Sequence, residues 1–523
     1  MRAAAASPLL QHLTAAACSK RPRPEWHGST TTVRSVEIVS TSVTDSFAVP
    51  LSIVDAHLRQ EQLPFAYFFK EALSKKKLLS SLKKVLERFP VLGGSVDFSK
   101  TMSIQCSPED SIAVSFADSD RPIAHWIQRG HLMHTNRHPT LLPLFDPLFV
   151  PRHKVLFPTY PSLASIQVTS LADGGTVIGV NMNHMLADAA SCFYFLECWG
   201  GEMRSCKKTY TTPSNNRAMA TCSGMMTPGI ADIMGLVESG PTWIDDICNR
   251  FDFATLSFGE DGSEKKNLLP PVTPNNEHAY LHLAFPLPVL IAMKALGMSQ
   301  TLHNNQQESD KGSTFVSTND MLTAFGWLMK RELSGNSDWN MSMVVNLRGR
   351  CGVEAFGDSK GNSLFGNGIV NVVATLPICR TDEGDDDNQV SLSQISAAAL
   401  VIRNALTQGL LGVTDSISCA RKGQRPTSIS TGSCFSTTSW SFPIWDIDFG
   451  ATLVGFHGHP SYPIPDFNMF SSVIVPGSQH GDRVYQLLIP CVKVKEAEAM
   501  HQRLCTLFLE WHAMEAANFG SPL

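Results

Sequence analysis

The sequence lacks the cysteine arrangements that bind zinc or build a disulfide framework. Its 13 cysteines include no CxxC pair, and the closest group, Cys192, Cys198 and Cys206, has a spacing that fits no common zinc pattern. An odd number of scattered cysteines indicates reduced thiols in a reducing compartment. We therefore predict a cytoplasmic protein in which no cysteine holds a metal.

Long apolar runs and a strong excess of charge of one sign are also missing. No uncharged apolar stretch reaches the roughly 20 residues that span a bilayer, and the nearest, residues 397–413, is interrupted by Arg403. The formal net charge of −5 gives no general attraction to nucleic acid. Hydrophobic residues make up 43% of the chain and charged residues 17%, as is typical of globular proteins. Because 523 residues exceed one compact core, we expect two or three domains.

The N-terminus contains no acidic residue before Glu25 and is rich in alanine and basic residues. This composition fits a weak organelle transit segment and equally a disordered start. We assign residues 1–30 to such a segment and keep both interpretations, so an organelle stands beside the cytoplasm as a predicted location.

The first well-patterned part of the chain predicts strands and one helix. Val33–Val43 alternates like a strand, and Ala72–Arg88 has apolar residues at helical spacing with lysines elsewhere. A basic amphipathic helix lies either on a membrane or, as we favour, with its apolar side on the protein core. Ser162–Ser170 and Thr176–Asn183 then predict a hairpin across Asp173-Gly174-Gly175.

A connector separates two domains. Residues 207–275 carry proline, glycine and polar runs, which is typical of a crossover between domains. We therefore assign residues 31–206 and 276–523 to two domains. The elements predicted in the second are the strand Ala279–Phe285, a helix capped by Ser317-Thr318-Asn319-Asp320, the strand Met341–Asn346, the tight turn Gly366-Asn367-Gly368, the strand Ile369–Leu376, and the helices Leu392–Gly409 and Lys495–Ala516.

Three stretches carry metal-ligand residue types without the spacing of a metal site. Residues 121–153 hold five histidines that match no zinc ligand set. Residues 382–387 are mostly acidic, but they lack the spacing and the terminal glutamate of a calcium loop. His457 and His459 have no identifiable third ligand. We interpret the first two as loops without metal, and His457 and His459 either as part of a loop near an acceptor-binding mouth or as plain surface residues.

One apolar strand ends at a histidine. Val177–Met182 is the apolar stretch, His184 follows as the strand ends, and Asp188 opens an apolar helix. A histidine held at a strand end can take and return a proton near neutral pH. On this HxxxD spacing alone we favour a structural interpretation, in which His184 is a satisfied core histidine and Asp188 is a helix N-cap.

Landmarks along the chain resemble, in their order, those of the BAHD family of acyl-CoA-dependent acyltransferases. They are PLSIVDAHL, LLSSLKKVLERFPVLGGSV, NHMLAD as the HxxxD box, VSTNDMLTAFGWLMKREL, VVNLRGR, LFGNGI and TSWSFPIWDIDFG. Two departures indicate a divergent member. Ala189 follows the box where the family usually has glycine, and Asp448-Phe449-Gly450-Ala451-Thr452 lacks the tryptophan of the family's DFGWG box. The set spans roughly residues 35–510, far more than one motif.

The resemblance implies an α/β fold like that of chloramphenicol acetyltransferase. Two similarly folded domains, each a mixed β-sheet with helices, enclose an active-site channel at their interface. Acyl-CoA enters from one side and a small-molecule acceptor from the other. The implied activity is acyl-CoA-dependent O-acyl transfer, with amine acceptors second, by a monomer that uses acyl-CoA as co-substrate and binds no cofactor.

The resemblance also implies roles for particular residues. His184 is the general base of a direct transfer without an acyl-enzyme. Asp188 pairs with an arginine, for which Arg348 is the first choice and Arg350 the second, and this pair supports the site. The remaining assignments are hydrogen-bond donors to the tetrahedral intermediate (Thr438 and Trp440), a structural residue (Asp448) and a candidate for contacting the pantetheine arm of CoA (Ser317).

Alternatives stay open at this stage. Trp440 is equally a packed core aromatic residue. A chain of this fold is also compatible with a non-catalytic protein that binds CoA or another ligand, or with an amide-forming enzyme of the condensation type. Against the latter, Asn183 precedes His184 where condensation domains usually show a second histidine. The sequence does not identify the acceptor, the acyl chain or the residues that bind the CoA 3′-phosphate.

Overall fold

The fold was analysed in a computed structural model of the chain. The residues that it describes are 31–51, 55, 62–97, 103–126, 135–136, 148, 159–160, 163–205, 278–286, 293–295, 297–298, 315–334, 340–346, 348, 365–375, 390–411, 434–437, 446–458, 467–474 and 483–493. The predicted segment 1–30, the connector 207–275, the acidic run 382–387 and the final helix lie outside these residues.

The N-terminal half contains ten strands and two long helices within the described residues. The helices are α1 (Lys75–Leu86) and α2 (Ala189–Met203), and Pro90–Leu92 forms a short 3-10 helix. The strands are β1 (Thr31–Ser40), β2 (Phe47–Pro50), β3 (Gln62–Phe69), β4 (Val96–Asp97), β5 (Ser103–Cys106), β6 (Ser111–Ser119), β7 (Thr135–Asn136), β8 (Thr159–Tyr160), β9 (Ala164–Ser170) and β10 (Thr176–Asn183).

The C-terminal half adds seven strands and two long helices within the described residues. The helices are α3 (Thr318–Ser334) and α4 (Leu392–Leu411). The strands are β11 (His278–Pro286), β12 (Asn340–Asn346), β13 (Ile369–Ala374), β14 (Cys434–Thr437), β15 (Leu453–Gly458), β16 (Phe467–Ile474) and β17 (Arg483–Lys493).

One mixed sheet of 13 strands runs through both halves. Its order is β1-β6-β9-β10-β3-β15-β16-β14-β12-β13, while β17 pairs with β16 and β11, and β11 also pairs with β7. The pairs β6–β9, β12–β14 and β14–β16 are parallel and the others are antiparallel. Because β15 of the C-terminal half pairs with β3 of the N-terminal half, the halves share backbone hydrogen bonds. The predicted α/β fold with a mixed sheet and helices is confirmed.

The predicted N-terminal elements are present with shifted ends. The hairpin forms as expected, with β9 and β10 antiparallel in register. The first strand stops at Ser40 rather than Val43, since Ser42 adopts a φ of 58°, which a strand cannot accommodate. Helix α1 starts later than predicted because the Ser74 hydroxyl caps it, accepting a hydrogen bond from the backbone N–H of Lys77.

Helix α1 rests on the core through its apolar side, as favoured from the sequence. Leu78, Leu82 and Val85 are buried, and the indole N–H of Trp199 in α2 donates to the Ser81 hydroxyl at 3.0 Å. On the outer side, the Lys75 ammonium donates to Glu37 at 2.6 Å. This is the arrangement of a surface helix whose charged side faces solvent.

Gly200 allows the Asp448-Phe449-Gly450 segment to approach α2. The Phe449 ring stands edge-on to Trp199, with 5.0 Å between ring centroids, and Gly450 has a φ of 79°, which favours glycine. A Cβ atom at position 200 would collide with the carbonyl group of Asp448. Glycine is therefore required here although it lowers helix propensity.

Replacing Gly200 by alanine is expected to destabilise the protein by about 1–3 kcal/mol, the usual cost of overpacking. Urea denaturation followed by circular dichroism measures the change. The sign of the change in the free energy of unfolding is informative, because replacing glycine by alanine at an unobstructed helical position stabilises a protein by up to about 1 kcal/mol. An unchanged or raised free energy of unfolding would contradict the close approach of Asp448 to α2.

Candidate active site

His184 lies on a tight turn at the end of strand β10. Every residue of β10 is buried. The Asn183 side-chain oxygen accepts from the backbone N–H of Met185 at 2.9 Å, and the Asn183 carbonyl accepts from Leu186 N–H at 2.9 Å. These bonds fix residues 184–186 before α2 begins, so His184 is held by a rigid backbone.

The imidazole of His184 is half-buried. Its Nδ1 is buried and has no hydrogen-bond partner in the described part of the structure. The described residues therefore do not satisfy both ring nitrogens, which the predicted structural interpretation as a core histidine requires.

Asp188 caps α2 and forms a buried ion pair with Arg348. Its Oδ1 accepts from the backbone N–H of Ser191 at 2.9 Å, and its Oδ2 accepts from Arg348 Nη1 at 2.6 Å. The two side chains are only 3% and 5% exposed. Gly368 N–H donates to the same Oδ2 at 2.8 Å. The two predicted roles of Asp188, helix cap and arginine partner, thus coexist, and the partner is Arg348.

The guanidinium of Arg348 joins segments that are distant in sequence. Nη2 donates to the Ser191 hydroxyl at 2.9 Å and to the Gly366 carbonyl at 2.8 Å. Nη1 also donates to the Asn346 side-chain oxygen at 3.1 Å. The start of α2, the end of β12 and the turn before β13 therefore meet on one cation. Such a buried charge is tolerated only when it is paired and hydrogen-bonded, as it is here.

The residues around Asp188 keep its carboxyl group ionised. Burial by itself raises the pKa of the carboxyl, but the Arg348 charge and the hydrogen bonds from Arg348, Ser191 and Gly368 outweigh burial and hold the pKa below its usual value. Asp188 is thus an ionised structural anion rather than a group that exchanges protons near neutral pH.

Cys192 lies one helical turn after Asp188 but is not a candidate nucleophile. It is fully buried, and burial, followed by the nearby Asp188 charge, raises the pKa of its thiol well above the usual value. Cysteine reacts as the thiolate. A buried, protonated thiol is therefore unsuited to nucleophilic attack.

Ser317 opens α3, where a second buried carboxylate is paired. The Ser317 hydroxyl accepts from Asp320 N–H at 3.2 Å, and Asp320 Oδ2 accepts from Ser317 N–H at 2.6 Å. This is a reciprocal cap of the helix start. Arg403 of α4 donates to the same carboxylate oxygen at 2.9 and 2.5 Å. The arrangement repeats, at α3, the pairing of a helix-start aspartate with an arginine that is seen at α2.

The remaining predicted residues lie elsewhere. Asp448 pairs with Arg204 at the end of α2, at 3.3 Å, on the opposite end of that helix from Asp188. Thr438 and Trp440 lie outside the described residues. His457 belongs to β15, where it pairs with Ala66, so the first of its two predicted settings, a loop near the acceptor mouth, is wrong. The described residues contain no group of three or more metal-ligating side chains and no helix long and apolar enough to cross a bilayer.

Sequence reasoning missed four residues of the site. Ser191 and Asn346 bind the Arg348 guanidinium, and Asn367 contacts both Asp55 and the backbone of His184. Asn367 lies in the predicted turn Gly366-Asn367-Gly368, and Asp55 lies in PLSIVDAHL. Both stretches were identified from the sequence, but no role was predicted for either residue. Asn346 is only two residues from Arg348, but the partners of Ser191 and Asn367 are more than 150 positions away, so no local pattern indicates those contacts.

Comparisons with known proteins agree with this fold. Residues 29–228 match the Transferase family, whereas no curated protein matches the chain. Vinorine synthase is 16% identical, with a TM-score of 0.56 over 90% of this chain and 96% of that one. TRI101 from F. sporotrichioides, solved with coenzyme A and T-2, is 15% identical, with a TM-score of 0.52 over 89% and 98%.

A condensation domain has the same fold at lower identity. The domain from the monacolin K polyketide synthase MokA is 11% identical, with a TM-score of 0.54 over 91% of this chain and 99% of that one. At these identities the structural comparisons establish the fold alone, while the family match concerns the part of the chain that carries His184 and Asp188. Residues 29–228 are thus similar to the Transferase family, and the chain shares its fold with vinorine synthase and TRI101.

Proposed function

We propose that the protein transfers an acyl group from acyl-CoA to a hydroxyl group, or second to an amine, of a small-molecule acceptor, with His184 as general base. The observation that carries this proposal is the geometry of His184. Its backbone is fixed by the turn after β10, its ring is half-buried, and its Nδ1 is buried without a partner in the described part of the structure. The solved complex of TRI101 with coenzyme A supports CoA as the carrier.

The reaction follows from the chemistry of one base and one thioester. His184 Nε2 removes the proton of the acceptor hydroxyl as its oxygen attacks the thioester carbonyl carbon. The tetrahedral intermediate collapses, the C–S bond breaks, and the imidazolium returns the proton to the CoA thiolate. The products are an ester and free CoA, and no side chain of the protein becomes acylated.

The other predicted residues have supporting roles in this proposal. Thr438 and Trp440 remain the proposed donors to the oxyanion, a contribution that is worth about 3–4 kcal/mol per donor in other enzymes. Asp188 and Arg348 hold the backbone around His184, and Asp448 is structural. Ser317, whose hydroxyl oxygen accepts from the start of α3, keeps its O–H as a donor that could meet the pantetheine arm.

The wider setting of the activity is also proposed. We propose a monomer that binds no cofactor and works in the cytoplasm or, if the N-terminal segment is a targeting signal, in an organelle. Residues 31–206 and 276–523 are proposed as the two domains, with the channel for acyl-CoA and acceptor between them.

A condensation-type amide synthase is the second candidate, because the MokA condensation domain shares the fold. One observation disfavours it. Asn183 stands directly before His184, and its side-chain oxygen is used by the Met185 N–H. The position is therefore part of the turn and supplies no second imidazole.

The test is the release of CoA thiol from acetyl-, malonyl-, hexanoyl- and aromatic acyl-CoA, with pooled hydroxyl and amine acceptors. We expect release that depends on an acceptor and an intact protein mass that stays unchanged during turnover. A protein that gains the mass of the acyl group would contradict direct transfer. Absence of release with every acceptor, together with CoA binding by calorimetry, would favour a non-catalytic binding protein.

A further inference from the structure

The side chain of Asn367 lies between Asp55 and the backbone of His184. Its Nδ2 donates to Asp55 Oδ1 at 2.7 Å and to the His184 carbonyl at 2.8 Å. The Met185 carbonyl is a further contact at 3.4 Å. All three partners are acceptors, so only the amide nitrogen can face them. The orientation of the Asn367 amide is therefore fixed by chemistry.

The contact is buried and is retained at a cost. Asp55 is 1% exposed and Asn367 is 7% exposed. The Asn367 Oδ1 is buried without a hydrogen-bond partner, which is destabilising for a polar atom. An apolar side chain would fill this space without burying an unpaired oxygen. The amide N–H donors of Asn367, which bind Asp55 and the His184 carbonyl, are therefore its contribution to the structure.

Three separate segments meet at this amide. Asp55 precedes β3, His184 follows β10, and Asn367 precedes β13. The next residue in the turn, Gly368, donates to Asp188. The turn 366–368 therefore contacts the HxxxD segment at both of its ends, through Gly368 at Asp188 and through Asn367 at His184.

We infer that Asn367 is a positioning residue for His184, with Asp55 orienting the Asn367 amide. The inference rests on the proposed role of His184 as general base. The hydrogen bond to the His184 carbonyl fixes the peptide from which the imidazole projects. Small displacements of a reacting group lower rates strongly, by about 100-fold for 1 Å. Asp55 acts one step further away, by holding the donor.

The experiment separates this role from a purely structural link between Asp55 and Asn367. Asn367→Asp removes the donors and places two carboxylates together, so both the melting temperature and kcat are expected to fall. The exchange Asp55→Asn with Asn367→Asp restores one donor and one acceptor between the two positions. It leaves the His184 carbonyl without a donor. The exchange is therefore expected to regain the melting temperature while kcat stays about 10–100-fold low, with KM for acyl-CoA within about twofold.

Recovery of kcat together with the melting temperature would overturn the inference. If the double variant does not regain the wild-type melting temperature, the kcat values of Asn367→Ala and Asp55→Ala are compared instead. Asn367→Ala must then lose more kcat than Asp55→Ala at a matched fraction folded, and equal losses overturn the positioning role. Asp110→Asn is the matched control, since Asp110 accepts hydrogen bonds in a remote turn at Ser107.

Failure of the proposed function has a different signature. In that case the wild type itself releases no CoA with any acceptor. The inference is then judged by the His184 ring resonance in NMR, identified by its loss in His184→Ala. A single sharp resonance in wild type and Asp55→Ala, with broadening or splitting in Asn367→Ala, supports the positioning role. An unchanged resonance in Asn367→Ala overturns it.

Discussion

Replacing His184 by alanine is expected to lower kcat by about 10²–10⁴-fold, which is the usual contribution of a positioned general base. The acceptor hydroxyl is a poor nucleophile until its proton is removed, and in the proposed mechanism Nε2 of His184 takes this proton. The Nδ1 atom is buried and unpaired, so the side chain contributes little to hydrogen bonding within the fold. We therefore expect the variant to remain folded, with KM for acyl-CoA little changed.

His184→Gln sharpens the test. Glutamine keeps a polar side chain of similar size but does not accept a proton near neutral pH, so it should be as inactive as His184→Ala. His125→Gln serves as the matched control, because His125 packs against Trp126 away from the turn after β10. CoA thiol release and circular dichroism are measured on all three variants. Unchanged release by folded His184→Gln would contradict the base mechanism.

The local elements of this fold follow from the sequence. Strand β10 was predicted from its apolar run and is buried at every residue. The hairpin with β9 was predicted from Asp173-Gly174-Gly175, and Gly174 adopts a φ of 86° as such a turn requires. These features are predictable because they depend on neighbours within about ten residues, where periodicity and turn chemistry act.

The long-range contacts of the site do not follow from local patterns. Asp188 was predicted from the sequence as an N-cap, but its pairing with Arg348, 160 positions away, came only from the family resemblance, which left Arg350 as second choice. Ser191 and Asn367 were not anticipated at all. A serine after an N-cap and an asparagine in a glycine turn have local explanations, so nothing in their neighbourhood indicates a distant partner.

The joining of the two halves was also beyond sequence reasoning. Strands β3 and β15 are hydrogen-bonded neighbours in one sheet. Neither strand was predicted from the sequence, because pairing between segments so far apart depends on the arrangement of the whole chain. His457, which was expected in a loop or on the surface, lies within this pairing.

The buried pair of Asp188 and Arg348 gives the largest expected effect on stability. Removing one member of a buried ion pair leaves the other charge without compensation, at a cost of about 3–5 kcal/mol. We expect this loss for Arg348→Met and for Asp188→Asn, measured by urea denaturation. The double variant should lose less unfolding free energy than the sum of the two single losses, because it leaves no buried charge without a partner. Additive losses would show that the two residues do not interact.

An exposed ion pair provides the matched comparison. Lys75 and Glu37 form a contact of similar length but are 46% and 40% exposed. Exposed pairs are worth about 0–1 kcal/mol, since solvent screens them. Lys75→Met should therefore change the free energy of unfolding far less than Arg348→Met, although both replace a cation by methionine. Equal effects would indicate that loss of charge in general, rather than burial of the partner, determines the cost.

The pH dependence of stability follows from the lowered pKa of Asp188. A carboxyl whose pKa is lower in the folded than in the unfolded protein contributes its stability above the unfolded value, near pH 4. That contribution is lost as the pH falls through the folded value. The difference in unfolding free energy between wild type and Asp188→Asn should thus be largest near pH 7 and shrink on acidification. A difference that stays constant down to pH 3 would mean that Asp188 acts only through its shape and hydrogen bonds. A shrinking difference, with kcat of the folded variant also reduced, would show that one ion pair both stabilises the fold and supports the backbone that presents His184.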